Sequence, residues 1–133
     1  MSGLRVVRSG ELQPQTAQTA GMTRYPGVAA GTVGAKNLWV GYVTMEAGAR
    51  SGAHHHGDSE SAIYIIRGQA RFRFGSRLEE AIEAGPGDFV YVPPQLLHQE
   101  LNASDSEAIE MIVARDSQEN VVVNVGVPEA EEG

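Results

Sequence analysis

The sequence predicts an all-β domain folded as a sandwich or a barrel. Sixteen glycines and six prolines in 133 residues are too many turn-formers for a helical bundle of this length. Short runs rich in β-branched and aromatic side chains supply the strands. Turn signals between them recur about every eight to twelve residues, the spacing of short-stranded β domains.

The length is that of one domain, at roughly 100–200 residues each. The absence of cysteine excludes disulfides, cysteine–zinc clusters, iron–sulfur clusters and a thiol nucleophile. Seventeen acids against ten bases leave a formal charge of −7, a poor balance for neutralising phosphates, so no nucleic acid partner is expected. The longest apolar run, residues 62–66, falls far short of the roughly 18–20 that a membrane span needs. The first eight residues carry no apolar stretch of the kind a signal peptide has. The expectation is a soluble, cytoplasmic protein whose partner is a small molecule rather than a membrane.

Residues 1–36 read as an N-terminal arm with connecting loops. Leu4, Val6 and Val7 form one short edge strand within it, suited to exchange with a second copy in a homodimer. Pro26, Gly27, Gly31 and Gly34 make 24–36 a connection. The barrel is expected over 37–127. Its strand signals run through 38–45 and 61–66, then 70–74, where strict alternation puts Phe72 and Phe74 on one face and Arg71 and Arg73 on the solvated other. They continue at 78–84, at 88–92 after the turn signal Gly85-Pro86-Gly87-Asp88, and at 98–102, 108–114 and 120–125. Residues 128–133 are an acidic tail.

Three of the four histidines are consecutive, His54, His55 and His56, and the fourth is His98. Residues two apart on a strand share a face, so His54 and His56 project together while His55 opposes them. Two imidazoles so placed can bind one ion if neighbouring strands supply further ligands.

The residues around them resemble the two motifs of the cupin superfamily. The first motif is Gly, five residues, His-x-His, three or four residues, Glu, six residues, Gly; here it begins at Gly48 and reaches His54 and His56. The second is Gly, five residues, Pro-x-Gly, two residues, His, three residues, Asn; here it runs Gly87, Pro93, Gln95, His98, Asn102, with Gln95 replacing the inner glycine. The resemblance covers residues 48–102 and implies a single-domain double-stranded β-helix, or jelly-roll barrel, with the histidines converging in its mouth. It also implies a divalent transition metal (Fe, Mn, Ni, Co, Cu or Zn) held by His54, His56, Glu60 and His98. The carboxylate position is divided: a three-residue spacer after His56 leads to Glu60, whereas a six-residue spacer before Gly68 leads back to Ser61. Neighbours on a regular strand point oppositely, so both face the site only through a bulge. Three arrangements stay open: Glu60 turned inward, Ser61 inward beside three histidines, or a weak site.

Glu100, two residues past His98, shares its parity and is the candidate catalytic group, as a general base, a substitute ligand or a carboxylate beside the ligands; the alternative is a barrel-rim carboxylate facing water. Tyr64 and Tyr91 are candidates for pocket hydroxyls, although packing is the ordinary role of strand tyrosines. Trp39 and Met45 are expected to pack. An ion so held keeps positions open for a bidentate oxygen donor such as an enediol, catechol, diketone or hydroxy acid. The family's range implies a small metalloenzyme, an oxygenase or a cyclase/isomerase. The alternative is a binding or sensor module without turnover.

Overall fold

The computed structural model describes residues 3–16, 19–118 and 122–126; the expected acidic tail and the first two residues of the expected strand at 120–125 lie outside the described residues. The strands are β1 (Gln15–Thr16), β2 (Met22–Val28), β3 (Trp39–Met45), β4 (His54–His55), β5 (Ser61–Arg67), β6 (Ala70–Phe74), β7 (Glu80–Ala84), β8 (Phe89–Val92), β9 (His98–Leu101), β10 (Ile109–Arg115) and β11 (Val123–Asn124). A 3-10 turn at Ser9–Glu11 and a single helical turn, α1 (Ala30–Val33), complete the described elements. One sheet has the order β1-β2-β3-β10-β5-β8 and the other β11-β4-β9-β6-β7. From β3 onward the chain passes back and forth between the sheets, which makes this a double-stranded β-helix, two antiparallel layers rolled around a shared interior.

Alternation decides which side chains enter that interior. On β3 the inward positions are Trp39, Gly41, Val43 and Met45; on β5 they are Ser61, Ile63 and Ile65. Val43, Met45, Ile63, Ile65, Phe72, Val92, Ile109 and Met111 form the apolar core, each large side chain contributing about 1.5–3 kcal/mol by leaving water. The core is graded along the strands. Ile109 pairs with Met45 and Met111 with Ile65 at one end, while at the other Arg115 pairs with both Trp39 and Ser61. The inward row therefore turns polar on the side where the histidine strands face it. Gly41 has a packing reason: a Cβ there would lie 2.5 Å from the Trp39 ring, which fills the space instead.

Three expectations are corrected. Residues 4–7 form no strand, and Leu4 stands 91% exposed. Residues 22–28, expected as the end of the arm and, from 24, a connection, are a full strand paired along β3. Pro26 is tolerated because the register shifts between Pro26 and Val28, where a missing N–H costs no ladder bond. Arg73 is not on a solvated face; it is buried beside its cross-strand neighbour Gln99, which is buried too. Trp39 and Met45 pack as expected. No helix among the described residues is long and apolar enough to cross a membrane.

Candidate metal centre

β4 and β9 meet at a single register pair, His54 opposite His98. That pairing brings the separated histidine segments together. Ring centroids lie 4.4 Å apart for His54 and His98, 4.9 Å for His54 and His56, and 5.1 Å for His56 and His98. One ring nitrogen from each lies within 4.8 Å of the others. Metal–nitrogen bonds of about 2.0–2.1 Å span up to about 4.2 Å between two ligands, so a small rotation of the rings closes the group on an ion. His55 stands outside the group, and its Nδ1 accepts the Gly57 N–H at 3.1 Å.

The backbone sets the tautomer of two rings. His54 Nδ1 lies 2.8 Å from the Gly52 carbonyl and His98 Nδ1 lies 2.9 Å from that of Leu96. A carbonyl oxygen only accepts, so each Nδ1 carries the proton. The neutral ring then offers the lone pair of Nε2, the arrangement that metal-binding histidines share. His98 Nε2 is buried with no hydrogen-bond partner among the described residues. Burial also pushes His54 below its ordinary pKa, against the Gly52 bond that favours its charged form. These nitrogens fit a transition ion: the Nε2 atoms of His54 and His98 are preoriented by the Nδ1 contacts, and that of His98 has no hydrogen-bond partner among the described residues.

Glu60, the expected fourth ligand, is not brought to the group. It is exposed on the outer face, where its Oε2 accepts the Tyr91 hydroxyl at 2.6 Å and its backbone N–H donates to Asp116 at 3.2 Å. Ser61, buried, lines the cavity instead. The reason is strand parity. β5 starts at Ser61 with Ser61, Ile63 and Ile65 inward, and no bulge intervenes to turn Glu60 over. Tyr64 and Tyr91 share the outward parity and contribute no hydroxyl to the interior.

Glu100 does enter the cavity. Its backbone is held on both sides by Ser51, which donates from its N–H to the Glu100 carbonyl at 2.9 Å and accepts the Glu100 N–H on its hydroxyl at 3.0 Å. Its Oε1 is 3.8 Å from His98 Nε2, an ion-pair distance too long for a hydrogen bond. Burial pushes the Glu100 carboxyl up, but the neighbouring imidazoles, His98 foremost, outweigh it and hold it low. Conversely, burial pulls His98 down while the Glu100 carboxylate prevails and raises it. Glu100 is thus the anionic member of the site.

The cavity, about 250 Å³, lies between the sheets. Val43, Ile63 and Met111 line it together with three guanidiniums that the sequence reading did not select, Arg24, Arg50 and Arg115. Arg115 follows the inward parity of β10 and lies 4.1 Å over the Trp39 ring, a signal the alternation contained. Arg24 was hidden by the misread strand. The remaining motif residues act structurally. Asn102 Nδ2 donates to the carbonyls of Glu107, Glu46 and Met45 at 2.8, 3.2 and 3.3 Å. Gln95 takes φ +64° where the motif has glycine, and binds the loop after His56 through the Gly57 carbonyl and Asp58, both at 2.8 Å.

A family model described as Cupin domain matches residues 41–114. Among solved structures, the chain is similar to the polyketide cyclase RemF from Streptomyces resistomycificus, with 17% identity and a TM-score of 0.80 over 96% of this chain and 89% of that one. It is similar to Peruvianin-I, a cysteine peptidase from Thevetia peruviana latex, with 18% identity and a TM-score of 0.71 over 92% and 77%. It is also similar to oxalate decarboxylase from Bacillus subtilis, a protein with Mn(II) centres, with 24% identity and a TM-score of 0.69 over 87% of this chain and 30% of that one. At these identities the likeness is one of fold. No curated protein sequence matches the chain.

Proposed function

Since the chain belongs to the Cupin domain family, we propose that it is a metal-binding cupin and a small metalloenzyme, of the oxygenase or cyclase/isomerase type, acting on an oxygen-rich small organic molecule. The observation that carries this reading is the group of three imidazoles, two with Nδ1 tied to backbone carbonyls, beside the half-buried Glu100 carboxylate in one cavity. His54, His56 and His98 would hold the ion, and nitrogen ligands suit Mn, Fe, Co, Ni, Cu or Zn. Bound there, the ion supplies Lewis acidity toward a chelating oxygen donor. The chain's own contribution is positional. Glu100, pinned by Ser51, is placed to take or return a proton of a ligand in the cavity, and its low pKa keeps it in the basic form. Val43, Ile63 and Met111 make one wall of the same space apolar. That the chain shares its fold with RemF, a polyketide cyclase, and with oxalate decarboxylase, a protein with Mn(II) centres, supports the reading.

Metal content after purification, read by mass spectrometry, tests the reading. His56→Ala and His98→Ala should each strip the ion, whereas His55→Ala and Glu60→Gln should retain it. Glu100→Gln should weaken retention by about 10–100-fold, as loss of a group beside the ligands does. Equal loss from His55→Ala and His56→Ala would overturn the assigned ligands. Metal-reconstituted protein is then assayed against enediols, catechols and diketones, where Glu100→Gln should abolish turnover. That no carboxylate joins the three histidines among the described residues favours a second reading, a binding module without turnover. Ligand-induced thermal stabilisation that survives chelation supports that reading.

A further inference from the structure

The outer face of the six-stranded sheet is apolar from β2 to the edge strand β8. One register row runs Tyr25, Tyr42, Ile112, Tyr64, Phe89 across β2, β3, β10, β5 and β8. The next row runs Val28, Val40, Ala114, Ala62, Tyr91 across the same strands. Both rows point away from the core, because the inward parity on β3, β10, β5 and β8 belongs to Val43, Met111, Ile63 and Val92. Rings within the first row touch, with centroids 5.6 Å apart for Tyr25 and Tyr42 and 4.7 Å for Tyr64 and Phe89. Much of this surface still meets water: Phe89 is 79% exposed, Tyr91 61% and Tyr64 36%. Neither row carries a charge, in a chain whose formal charge is −7. An antiparallel sheet that faces solvent ordinarily alternates to polar side chains on that face, and a contiguous apolar departure marks an interaction surface.

We infer that this face is where two copies of the chain associate, sheet against sheet, about a two-fold axis that lies between the two rows and runs parallel to them. Such an axis sets each row on the other row of the second copy. Tyr42 then meets Val40 of the second copy, Ile112 meets Ala114 and Tyr64 meets Ala62, large side chains on small ones, as interdigitating sheets require. The rims match in sign as well. Exposed Glu60 and Asp116 border the Ala62 row, while Arg67, its side chain 77% exposed and 3.4 Å from Glu110, borders the Tyr64 row. The same axis lays Arg67 beside Glu60 of the second copy, so an uncharged centre is framed by opposite charges and two acidic molecules meet without net repulsion there. The size is sufficient. Five strands about 4.8 Å apart, over the roughly 23 Å from residue 60 to residue 67, make a platform of about 550 Å² in projection. Its accessible area is larger, near the roughly 800 Å² per partner of a standard interface.

Sedimentation velocity of the full chain over a micromolar concentration series tests the interface. Wild type should be a dimer, and Ala114→Arg, which places an unpaired charge in the strip, should raise its dissociation constant by about 100-fold. Arg67→Glu should weaken the dimer by about tenfold, and adding Glu60→Arg to it should restore wild-type affinity to within about threefold. Leu4→Ser with Val6→Ser, on the arm, should leave the dimer unchanged. A variant that fails to fold is bypassed by a thiol readout, since the chain has no cysteine of its own. Packed sheets lie about 10 Å apart, so Ala62→Cys protein should be cross-linked to dimer by a short bismaleimide, whereas Ile82→Cys, exposed on the other sheet, should not. A wild-type monomer overturns the inference, as does a dimer that survives Ala114→Arg. Loss of the dimer in the arm variant, or cross-linking through Ile82→Cys and not Ala62→Cys, overturns it in favour of a different contact between copies.

Discussion

Asn102→Ala should destabilise the fold far more than its small size suggests. Asn102 is 3% exposed, and its amide ties three segments together. Nδ2 donates to Glu107, Glu46 and Met45 carbonyls, and Oδ1 accepts the Ser104 N–H at 3.1 Å. The amide has two protons for three carbonyls, so the two longer contacts share one. Three effective bonds at about 1 kcal/mol each amount to about 3 kcal/mol. At about 2.1 cal/mol/K per residue, a chain of 133 residues has an unfolding entropy of about 0.28 kcal/mol/K, and the loss lowers Tm by about 10 °C. The assay is thermal and urea unfolding of stripped protein, so that metal affinity does not enter. Asn102→Asp is the sharper variant: it keeps the shape but faces carboxylate oxygens toward three carbonyls, and should cost more than alanine. A loss below about 1 kcal/mol for Asn102→Ala, or an aspartate variant as stable as wild type, would refute the pinning role.

Gln95, at φ +64°, separates a backbone demand from a side-chain one. Gln95→Gly should stay within about 1 kcal/mol of wild type in urea midpoint, since relief of the left-handed penalty offsets the lost Asp58 bond; Gln95→Val should lose about 1–2 kcal/mol. The Tyr42 hydroxyl, which donates to Glu110, is pushed up to about 12. The folded state thus holds this proton more tightly, so its contribution is complete below pH about 10 and is lost as pH rises through about 12. Arg115, lowered to about 10, acts with the opposite sign in that range, so the difference between wild type and Tyr42→Phe is the quantity to read in alkaline urea titrations. Leu4 and Val6 on the arm and Phe89 on the edge strand β8 stand exposed; sedimentation velocity at micromolar concentration should show a homodimer, and a monomer alone would rule it out.

What the sequence made legible was whatever period two controls. His54 and His56 sharing a face, Phe72 and Phe74 opposing Arg71 and Arg73, and the runs that became β5, β6 and β8 all follow from alternation against a buried layer. The cupin spacing then related two histidine segments that alternation alone could not join. The misses have a common cause, in that local composition was read without the partner strand. Pro26 and Gly27 look like a connection until β3 supplies six register partners and a register shift that absorbs the proline. Residues 4–7 look like a strand until no neighbour accepts them.

The arginines were missed for a different reason, and it bears on the chemistry. A charge in a strand is ordinarily assigned to solvent, because burying it costs several kcal/mol unless it is paired. Arg24 and Arg115 nevertheless line the cavity, on the side of the barrel where the histidines do, and Arg115 lies over the Trp39 ring. Ser61 takes the place of a carboxylate there, and imidazole ligands add no negative charge to offset a cation. With Glu60 on the outer face, Glu100 is left as the carboxylate opposing the arginines and any ion among the described lining residues.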